Sequence, residues 1–217
     1  MKTQDKSRKP ILLGLLGTAA AGLGAVMFLN ASAPIAEAAA PVGKAAPAFT
    51  VKDSNGKVRK LSDFKGRYVV LEWLNYGCPF VKKHYNSGNM QATQKAARAQ
   101  GAVWLSVNSS ASGKQGHMDG SEANKMTSEK KATPSAVLLD ANGKMGNDYG
   151  AKTTPHMFVI NPKGVIVYNG AIDDKPSTDV SDIKGAKNYV LTALSEAKKG
   201  QKVSTPTTQP YGCSVKY

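Results

Sequence analysis

The stretch YVVLEWLNYGCPF, residues 68–80, decides the fold of this chain of 217 residues. Residues 68–74 are apolar, β-branched and aromatic apart from one glutamate, which is typical of a buried strand. Residues 75–78 form a turn, and Pro79 suits the first turn of a helix because its missing N–H has no intrahelical partner to lose. The stretch therefore predicts a strand and a helix joined by a turn that ends in Cys78.

The pattern on both sides of this stretch is that of an α/β domain. Upstream, residues 49–51 and 58–61 flank an Asn-Gly turn, which predicts a hairpin. Downstream we predict helix, helix, strand, polar loop, helix, strand, hairpin and helix over residues 79–85, 90–100, 103–107, 108–120, 121–131, 136–139, 157–168 and 183–197. This order favours a mixed central sheet flanked by helices.

The N-terminus has the pattern of an export signal. A basic start precedes an uncharged stretch over residues 11–29, and small residues follow. Cleavage after Ala36-Glu37-Ala38 is predicted, because the two neighbouring candidate sites are each followed by proline. The alternative is an uncleaved anchor, since such a stretch can just span a bilayer, but its glycines dilute it.

The predicted organisation is one exported domain between two short segments. It comprises a signal peptide over residues 1–38, a linker over 39–47, a domain over 48–199 and a tail over 200–217 that carries Cys213. We expect the mature protein to be periplasmic or secreted, without stable insertion in a membrane. The net charge of +14 at pH 7 comes from scattered lysines with no nucleic-acid motif, so no nucleic-acid partner is expected.

The two cysteines, Cys78 and Cys213, both lie in the predicted mature part. Export places them in an oxidising compartment, where a disulfide can persist. Two cysteines are too few for a disulfide scaffold, so their chemistry is of interest. A helix N-terminus favours the thiolate of Cys78, since unpaired N–H groups and a partial positive charge lie there.

Three motifs resemble the thioredoxin superfamily, specifically the redoxin branch that holds the alkyl hydroperoxide reductase and thiol-specific antioxidant (AhpC/TSA) proteins. They are the opening hairpin and first core strand (APAFTVKDSNGKVRKLSDFKGRYVVLEWL), the reactive-cysteine turn (GCPF) and the cis-proline loop (KTTPHMFVI). The resemblance covers residues 42–199. It implies a thioredoxin-like fold with an N-terminal hairpin and a redoxin-type insertion, which residues 108–139 can supply.

Glu72 is six residues before Cys78, at the position that the resemblance assigns to a buried acid. In a strand it shares a face with Val70 and Leu74. Desolvation there would raise its pKa and let it move a proton for a leaving thiolate. The alternative is a glutamate that reaches solvent or pairs with a lysine.

The resemblance also implies a cis Pro155, preceded by Thr154, in a loop that packs against Cys78. Backbone groups near this loop can bind an extended peptide by strand addition. His156 is either a base or soft-metal ligand near Cys78, or a surface or half-buried histidine. Asn75 stands at the Thr/Ser position of peroxiredoxins, so we assign it to substrate binding with Thr154 and His156.

Cys213 lies in the tail, 13 residues past Gly200. An extended tail of this length covers about 40 Å, comparable with the width of such a domain, so Cys213 can reach Cys78. It would then act as a resolving cysteine, with Tyr211 and Tyr217 as anchors. The alternative is a stray tail thiol.

Two departures from the family pattern limit the chemistry. Val81 stands where thioredoxins have their second cysteine, so a dithiol exchange within one motif is excluded. Peroxiredoxins also carry a late arginine that holds the thiolate and the peroxide. The arginines of this chain are all early: Arg8, Arg59, Arg67 and Arg98. We therefore expect weak peroxide turnover.

Three functions are consistent with these residues. The first is a thiol oxidoreductase in which Cys78 attacks a protein or small-molecule disulfide or a peroxide, Cys213 resolves the product, and an external thiol restores the pair without a cofactor. The second is a module that binds a soft metal such as Cu(I) through Cys78, Cys213 and His156. The third is a scaffold in which a permanent Cys78–Cys213 disulfide clamps the tail.

We predict that the mature protein begins near Ala39, because a basic start, an apolar stretch and an Ala-x-Ala site precede it. Intact-mass analysis of the exported protein should show a chain without residues 1–38. Retention of residues 1–29 in the exported protein would contradict this prediction.

Overall fold

The computed structural model describes residues 40–217, so the predicted signal peptide lies outside the described residues. The strands are β1 (Thr50–Lys52), β2 (Val58–Lys60), β3 (Val69–Trp73), β4 (Val103–Asn108), β5 (Ala136–Leu139), β6 (Thr153–Thr154), β7 (His156–Ile160), β8 (Ile166–Gly170) and β9 (Cys213–Ser214). The helices are α1 (Pro79–Asn86), α2 (Asn89–Ala99), α3 (Gly120–Glu129), α4 (Lys144–Tyr149) and α5 (Tyr189–Lys198).

The central sheet has five strands in the order β5-β4-β3-β7-β8. β3 pairs in parallel with β4, and β4 with β5, because each connection passes through helices long enough for a crossover. β7 pairs antiparallel with both β3 and β8, since a tight turn after Asn161 joins β7 to β8. The predicted mixed sheet and the N-terminal β1–β2 hairpin are confirmed.

Alternating residues of β3 supply two separate cores, one on each face of the sheet. Val70 and Leu74 belong to the core that α1, α2 and α5 cover, and Cys78 lies in the same core. Leu71 and Trp73 belong to the core on the opposite face, which contains residues of α4. All five residues of β3 are buried, including Glu72, although it is the one charged residue of the strand.

Two helices differ from the sequence prediction. α4 was not expected, because its six residues are too few for a visible period; Asp140 stabilises its start by accepting hydrogen bonds from the N–H groups of Met145 (3.0 Å) and Gly146 (2.8 Å). The last helix begins at Tyr189 rather than at residue 183, because the Asn188 side chain caps it by accepting from the N–H of Leu191 (2.9 Å). Residues 180–185 form a short 3₁₀ helix instead.

The segment after α5 is ordered along the domain, although its sequence shows no period. It forms a parallel bridge between Thr207 and Asn169, and further on it contributes β9, which pairs antiparallel with β6. This pairing places Cys213 opposite Thr154, although the two residues are far apart in the sequence. Within residues 40–217, no helix has the length and apolar character needed to cross a bilayer.

Candidate active site

Cys78 lies at the end of the turn between β3 and α1, directly before the first residue of α1. Its backbone is extended, Pro79 occupies the first helical position, and the carbonyl of Cys78 accepts from the N–H of Lys82 (2.9 Å). The N–H of Cys78 donates to the carbonyl of Asn75 (3.0 Å), which closes the preceding turn. The Cys78 side chain is therefore held at the helix N-terminus, and the residue is only 1% exposed.

Asn75 organises this turn from within the protein. Its Oδ1 accepts from the N–H of Gly77 (2.8 Å), and its Nδ2 donates to the carbonyl (3.0 Å) and Oε1 (2.9 Å) of Gln115. A Cβ at Gly116 would lie 2.2 Å from Asn75 Oδ1, so the loop approaches closely only because it has a glycine there. This side chain positions the Cys78 turn, and the expected substrate contact through Asn75 stays a prediction.

The cis-proline loop lies directly against Cys78. The Thr154–Pro155 peptide bond is cis, as the resemblance implied. Cys78 Sγ is 3.0 Å from the carbonyl oxygen of Thr154, which accepts a hydrogen bond when the thiol is protonated. Thr154 is 2% exposed, and its strand edge is paired with β9. The loop and the cysteine therefore form one site, and the tail of the same chain covers it.

Cys213 reaches Cys78, as the length of the tail allowed. Its backbone N–H donates to Cys78 Sγ over 3.4 Å, and both cysteines are free thiols. Cys213 is half-buried, whereas Cys78 is fully buried beneath it. The two sulfurs are thus neighbours without being bonded, which is the arrangement of a reduced pair.

The two thiols have opposite pKa shifts. Burial raises the pKa of Cys78, but hydrogen bonds from the Cys213 thiol and from the N–H groups of Val81 and Cys213 outweigh it, so the pKa lies below the usual cysteine value. Burial and the adjacent Cys78 raise the pKa of Cys213 to about 11. Of the two thiols, Cys78 therefore loses its proton at the lower pH, and Cys213 keeps its proton longer.

Glu72 is fully buried in β3, and four side chains donate to its carboxylate. Tyr85 donates to Oε1 (2.8 Å). Trp104 (2.8 Å), Ser106 (2.8 Å) and Gln94 (3.2 Å) donate to Oε2. Burial raises the pKa of Glu72, and the four donors only partly offset this. The expected burial and raised pKa are confirmed, and the alternative of a lysine partner is wrong.

The proton-shuttle role of Glu72 stays a prediction. None of the four groups that donate to its carboxylate is a sulfur, so its link to Cys78 is indirect. Tyr85 contacts Tyr76 edge-on at a centroid distance of 5.0 Å, and Tyr76 belongs to the turn before Cys78. Glu72 is therefore connected to the Cys78 turn through its hydrogen bond with Tyr85 and the packing of Tyr85 on Tyr76.

His156 is not available to a substrate or a metal. Its Nε2–H donates to Asn169 Oδ1 (2.8 Å), and its Nδ1 accepts from the N–H of Lys152 (3.2 Å). Burial lowers its pKa to about 4, so the ring is neutral at pH 7. It packs on Phe158, which belongs to the core on the face opposite Cys78. The expected roles as base, substrate contact or soft-metal ligand are therefore corrected to a structural one.

Tyr211 anchors the tail just before Cys213, as its position in the sequence indicated. Its hydroxyl donates to Asp173 and lies 3.1 Å from Nε2 of His84. Burial lowers the pKa of His84 to about 4, so this imidazole is neutral. Sequence reasoning missed Asp173, because an Asp-Asp pair in a polar loop carries no signal of such a role.

The sequence profile of the AhpC/TSA family matches residues 42–169. The chain belongs to the AhpC/TSA family. Among curated proteins, it is similar to the thiol-disulfide oxidoreductase ResA of Bacillus subtilis, with 33% identity over 125 residues. That alignment covers 58% of this chain and 64% of ResA, so the chain spans less than two thirds of the length of this relative.

Solved structures show the same thioredoxin-like fold for this AhpC/TSA-family chain. An uncharacterized conserved protein from Geobacillus kaustophilus has a TM-score of 0.69 at 23% identity, covering 82% of this chain and 93% of its own. A hypothetical protein from Sinorhizobium meliloti has a TM-score of 0.66 at 21% identity, covering 82% and 94%. A thiol:disulfide interchange protein from a Bacteroides species has a TM-score of 0.51 at 24% identity, covering 74% and 94%.

The arginines of this AhpC/TSA-family member within residues 40–217 are engaged away from Cys78. Arg59 pairs with Asp53 (2.7 Å), and Arg67 and Arg98 donate to the carbonyls of Gly101 (3.5 Å) and Thr133 (2.9 Å). The groups near Cys78 Sγ are instead the backbone of Val81, Thr154 and Cys213, the Thr154 side chain and the second thiol. In the described residues, no arginine is among the groups that hydrogen-bond to the Cys78 sulfur.

We predict that Cys213→Ala raises the pKa of Cys78, whereas Cys213→Ser leaves it low. Alanine removes the S–H donor to the thiolate, and serine replaces it with an O–H donor. Thiolate absorbance at 240 nm, followed against pH in each reduced variant, measures the difference. Equal titration curves for the two variants would show that the Cys213 side chain does not stabilise the thiolate.

We predict that Glu72→Gln removes a pH dependence of folding stability. Because the folded pKa of Glu72 is raised, its contribution is most favourable when it is protonated and is lost as pH rises from the unfolded value through the folded pKa. The wild-type free energy of unfolding should therefore fall relative to the variant over that range, with a slope of up to about 1.4 kcal/mol per pH unit. Urea unfolding at several pH values measures it.

Glu129→Gln is the matched control, since Glu129 is exposed and pairs only with Lys125. It should show no such slope. The same Glu72→Gln protein tests the shuttle, because an unchanged pH profile of Cys78 alkylation would count against a coupled role.

Proposed function

We propose that this protein is an exported thiol–disulfide oxidoreductase in which Cys78 is the nucleophile and Cys213 resolves the mixed disulfide. The observation that carries the proposal is the close approach of the two cysteines, with the Cys213 N–H 3.4 Å from Cys78 Sγ and with opposite pKa shifts. A lowered pKa at one thiol and a raised pKa at the other support an attacking role for Cys78 and a resolving role for Cys213. The similarity to ResA supports the same reaction class.

The reaction balances with the two cysteines and one external reductant. The Cys78 thiolate attacks one sulfur of a substrate disulfide, and the other sulfur leaves as a thiolate that takes a proton. Cys213 gives up its proton and attacks Cys78 Sγ, which forms the Cys78–Cys213 disulfide and releases the second substrate thiol. Two electrons pass from the protein to the substrate. An external thiol or dithiol then returns both cysteines to the reduced state.

The raised pKa of Cys213 suits the second step of this sequence. While Cys213 is protonated and docked, its thiol donates to Cys78 and lowers the pKa of that residue, so the reduced pair has its more acidic thiol at Cys78. Once Cys78 is in a mixed disulfide, it carries no negative charge. The electrostatic contribution of Cys78 to the raised pKa of Cys213 is then lost. Cys213 then deprotonates more easily and attacks.

Peroxide reduction is a second candidate reaction, because the chain belongs to the AhpC/TSA family. A peroxidatic thiolate needs donors that polarise the peroxide so that its distal oxygen leaves. The expected arginine has no counterpart in the described part of the chain, and the Asn75 amide is occupied by Gln115. We therefore propose that peroxide turnover is weak and that disulfide exchange is the main activity.

The two alternative functions differ from this proposal in what the cysteines do. A permanent clamp would have a Cys78–Cys213 disulfide of low reduction potential, whereas a catalytic pair is more easily reduced. Copper binding through a Cys, Cys and His set is disfavoured, because both nitrogens of His156 are already hydrogen-bonded within the protein. A redox titration in thiol buffers separates the clamp from the catalyst.

We predict that stopped-flow mixing of the reduced mature protein with a disulfide substrate yields the Cys78–Cys213 disulfide. Cys213→Ser should accumulate the mixed disulfide at Cys78, and Cys78→Ser should be inert. With hydrogen peroxide we expect a rate lower by on the order of a hundredfold or more than that of a dedicated peroxiredoxin, since preorganised donors are missing. Non-reducing peptide mapping identifies each product.

Two outcomes would contradict this prediction. Fast peroxide reduction that disappears in Cys78→Ser would make the protein a peroxidase without the usual arginine. An unreactive Cys78 toward both disulfides and peroxide would favour the scaffold.

A further inference from the structure

The strand edge beside Pro155 is already filled by the chain's own C-terminal strand. β9 pairs antiparallel with β6, with Cys213 opposite Thr154 and Ser214 opposite Thr153. An extended polypeptide that added to this edge by strand pairing would need the same backbone groups of β6. The tail and such a polypeptide therefore exclude each other at this edge.

Gly212 is the residue that lets the tail approach so closely. Its φ is +137°, and a Cβ at this position would lie 2.1 Å from the carbonyl oxygen of Thr154 and 2.7 Å from the carbonyl carbon. Both atoms belong to backbone, so no side-chain rotation can make room for the extra carbon. Docking of Cys213 over Cys78 therefore depends on a glycine directly before it.

Anchors on both sides of Cys213 hold the strand in register. Before it, the Tyr211 hydroxyl donates to Asp173, and the ring lies 5.8 Å from that of Phe80. After it, the N–H of Val215 donates to the carbonyl of Lys152 (3.1 Å), and the Tyr217 hydroxyl donates to the carbonyl of Ala151 (2.8 Å). The strand is thus a specific ligand of its own domain.

The Tyr211 anchor reaches into the helix that Cys78 begins. Its hydroxyl lies 3.1 Å from His84 Nε2, and Asn89 Nδ2 lies 2.8 Å from the other nitrogen of that ring. Asp173 Oδ2 is buried with no hydrogen-bond partner and is 4.0 Å from His84 Nδ1. Asp173 therefore depends on Tyr211 for a side-chain donor, and release of the tail would leave its carboxylate without one.

We propose that residues 211–217 are a tethered substrate mimic, with Gly212 and Tyr211 as positioning residues, and that a polypeptide disulfide reaches Cys78 only when this strand leaves the edge of β6. The proposal rests on the proposed function of Cys78 as nucleophile and Cys213 as resolving cysteine. It adds the substrate class, which is an extended polypeptide that places its cysteine opposite Thr154, where Cys213 lies in the reduced chain.

Strand exchange then couples resolution to product release. The undocked chain binds the polypeptide at β6, and the Cys78 thiolate attacks its disulfide to form the mixed disulfide and one free substrate thiol. The tail returns to the same edge, so that Cys213 attacks Cys78 Sγ while β9 displaces the polypeptide. The second substrate thiol leaves with the strand, and the Cys78–Cys213 disulfide retains the docked tail until an external thiol reduces it.

The first test measures access to Cys78 in a chain whose only thiol is Cys78, made by Cys213→Ser. Adding Gly212→Ala should speed alkylation of Cys78 by iodoacetamide by about tenfold or more, because strain against the Thr154 backbone undocks the strand. Both rates are measured at a pH where Cys78 is fully ionised in both proteins, so that they report access to the thiolate and not its pKa. Gly200→Ala is the matched control: Gly200 also has a positive φ of +72°, but a Cβ there meets nothing within 4 Å. An equal alkylation rate with and without Gly212→Ala would overturn the proposal.

Tyr211→Phe is the milder second variant, since it removes only the hydroxyl and keeps the ring. It should also speed alkylation of Cys78, by less than Gly212→Ala does. Its rate keeps the proposal testable if the alanine variant does not fold. No increase with Tyr211→Phe would show that the contact with Asp173 does not hold the strand.

The second test measures binding of a fluorescent peptide to the edge of β6. The peptide comprises residues 209–217, with serine in place of Cys213. It should bind the Cys213→Ser, Gly212→Ala protein more tightly than the Cys213→Ser protein. Equal binding would show that the tail does not occupy the peptide site. Alkylation reports access and anisotropy reports binding, so both results are independent of turnover and separate a failure of this inference from a failure of the proposed function.

Discussion

The antiparallel pairing of Cys213 with Thr154 is the contact on which the site depends. Thr154 precedes the cis Pro155, and its carbonyl lies against Cys78, so whatever pairs with Thr154 is brought over the sulfur. The pairing directs the N–H of Cys213 toward Cys78 Sγ and places the second thiol beside it. This placement contributes to the lowered pKa of Cys78, together with the Val81 N–H and the Thr154 side chain, and it adds to the effect of burial in raising the pKa of Cys213.

The rest of the domain fixes the positions of Cys78 and Thr154 relative to each other. β3 and β7 are neighbours in the sheet, so the turn after β3 and the loop before β7 meet at one end, which brings Cys78 to Thr154. Asn75 ties the Cys78 turn to the loop at Gln115. Because these groups are buried and hydrogen-bonded, the position of the Cys78 sulfur is determined by backbone geometry more than by charged side chains.

This arrangement separates the chain from both familiar designs in its superfamily. With Val81 in place of a second cysteine in the motif, the second thiol near Cys78 is that of Cys213, which lies far from the motif in sequence. The arginines of the described residues lie elsewhere, so the thiolate is stabilised by a second thiol and by backbone N–H groups. In the mechanism that we propose, the substrate and the tail occupy the same edge of β6 in turn.

The sequence by itself determined the strand-turn-helix around Cys78 and the mixed sheet, because these depend on local period and on apolar neighbours in the chain. For Glu72 it left burial and a lysine partner as alternatives, and the four donors that decide for burial come from other parts of the fold. It could not determine what the tail does, since strand pairing between β6 and β9 joins segments with no periodic pattern and far apart in the chain. The same limit explains His156, which faces the opposite core because of its register with Trp73. Gly212 shows the reason most directly: its need for glycine arises from the backbone of Thr154, a contact that only the folded chain creates.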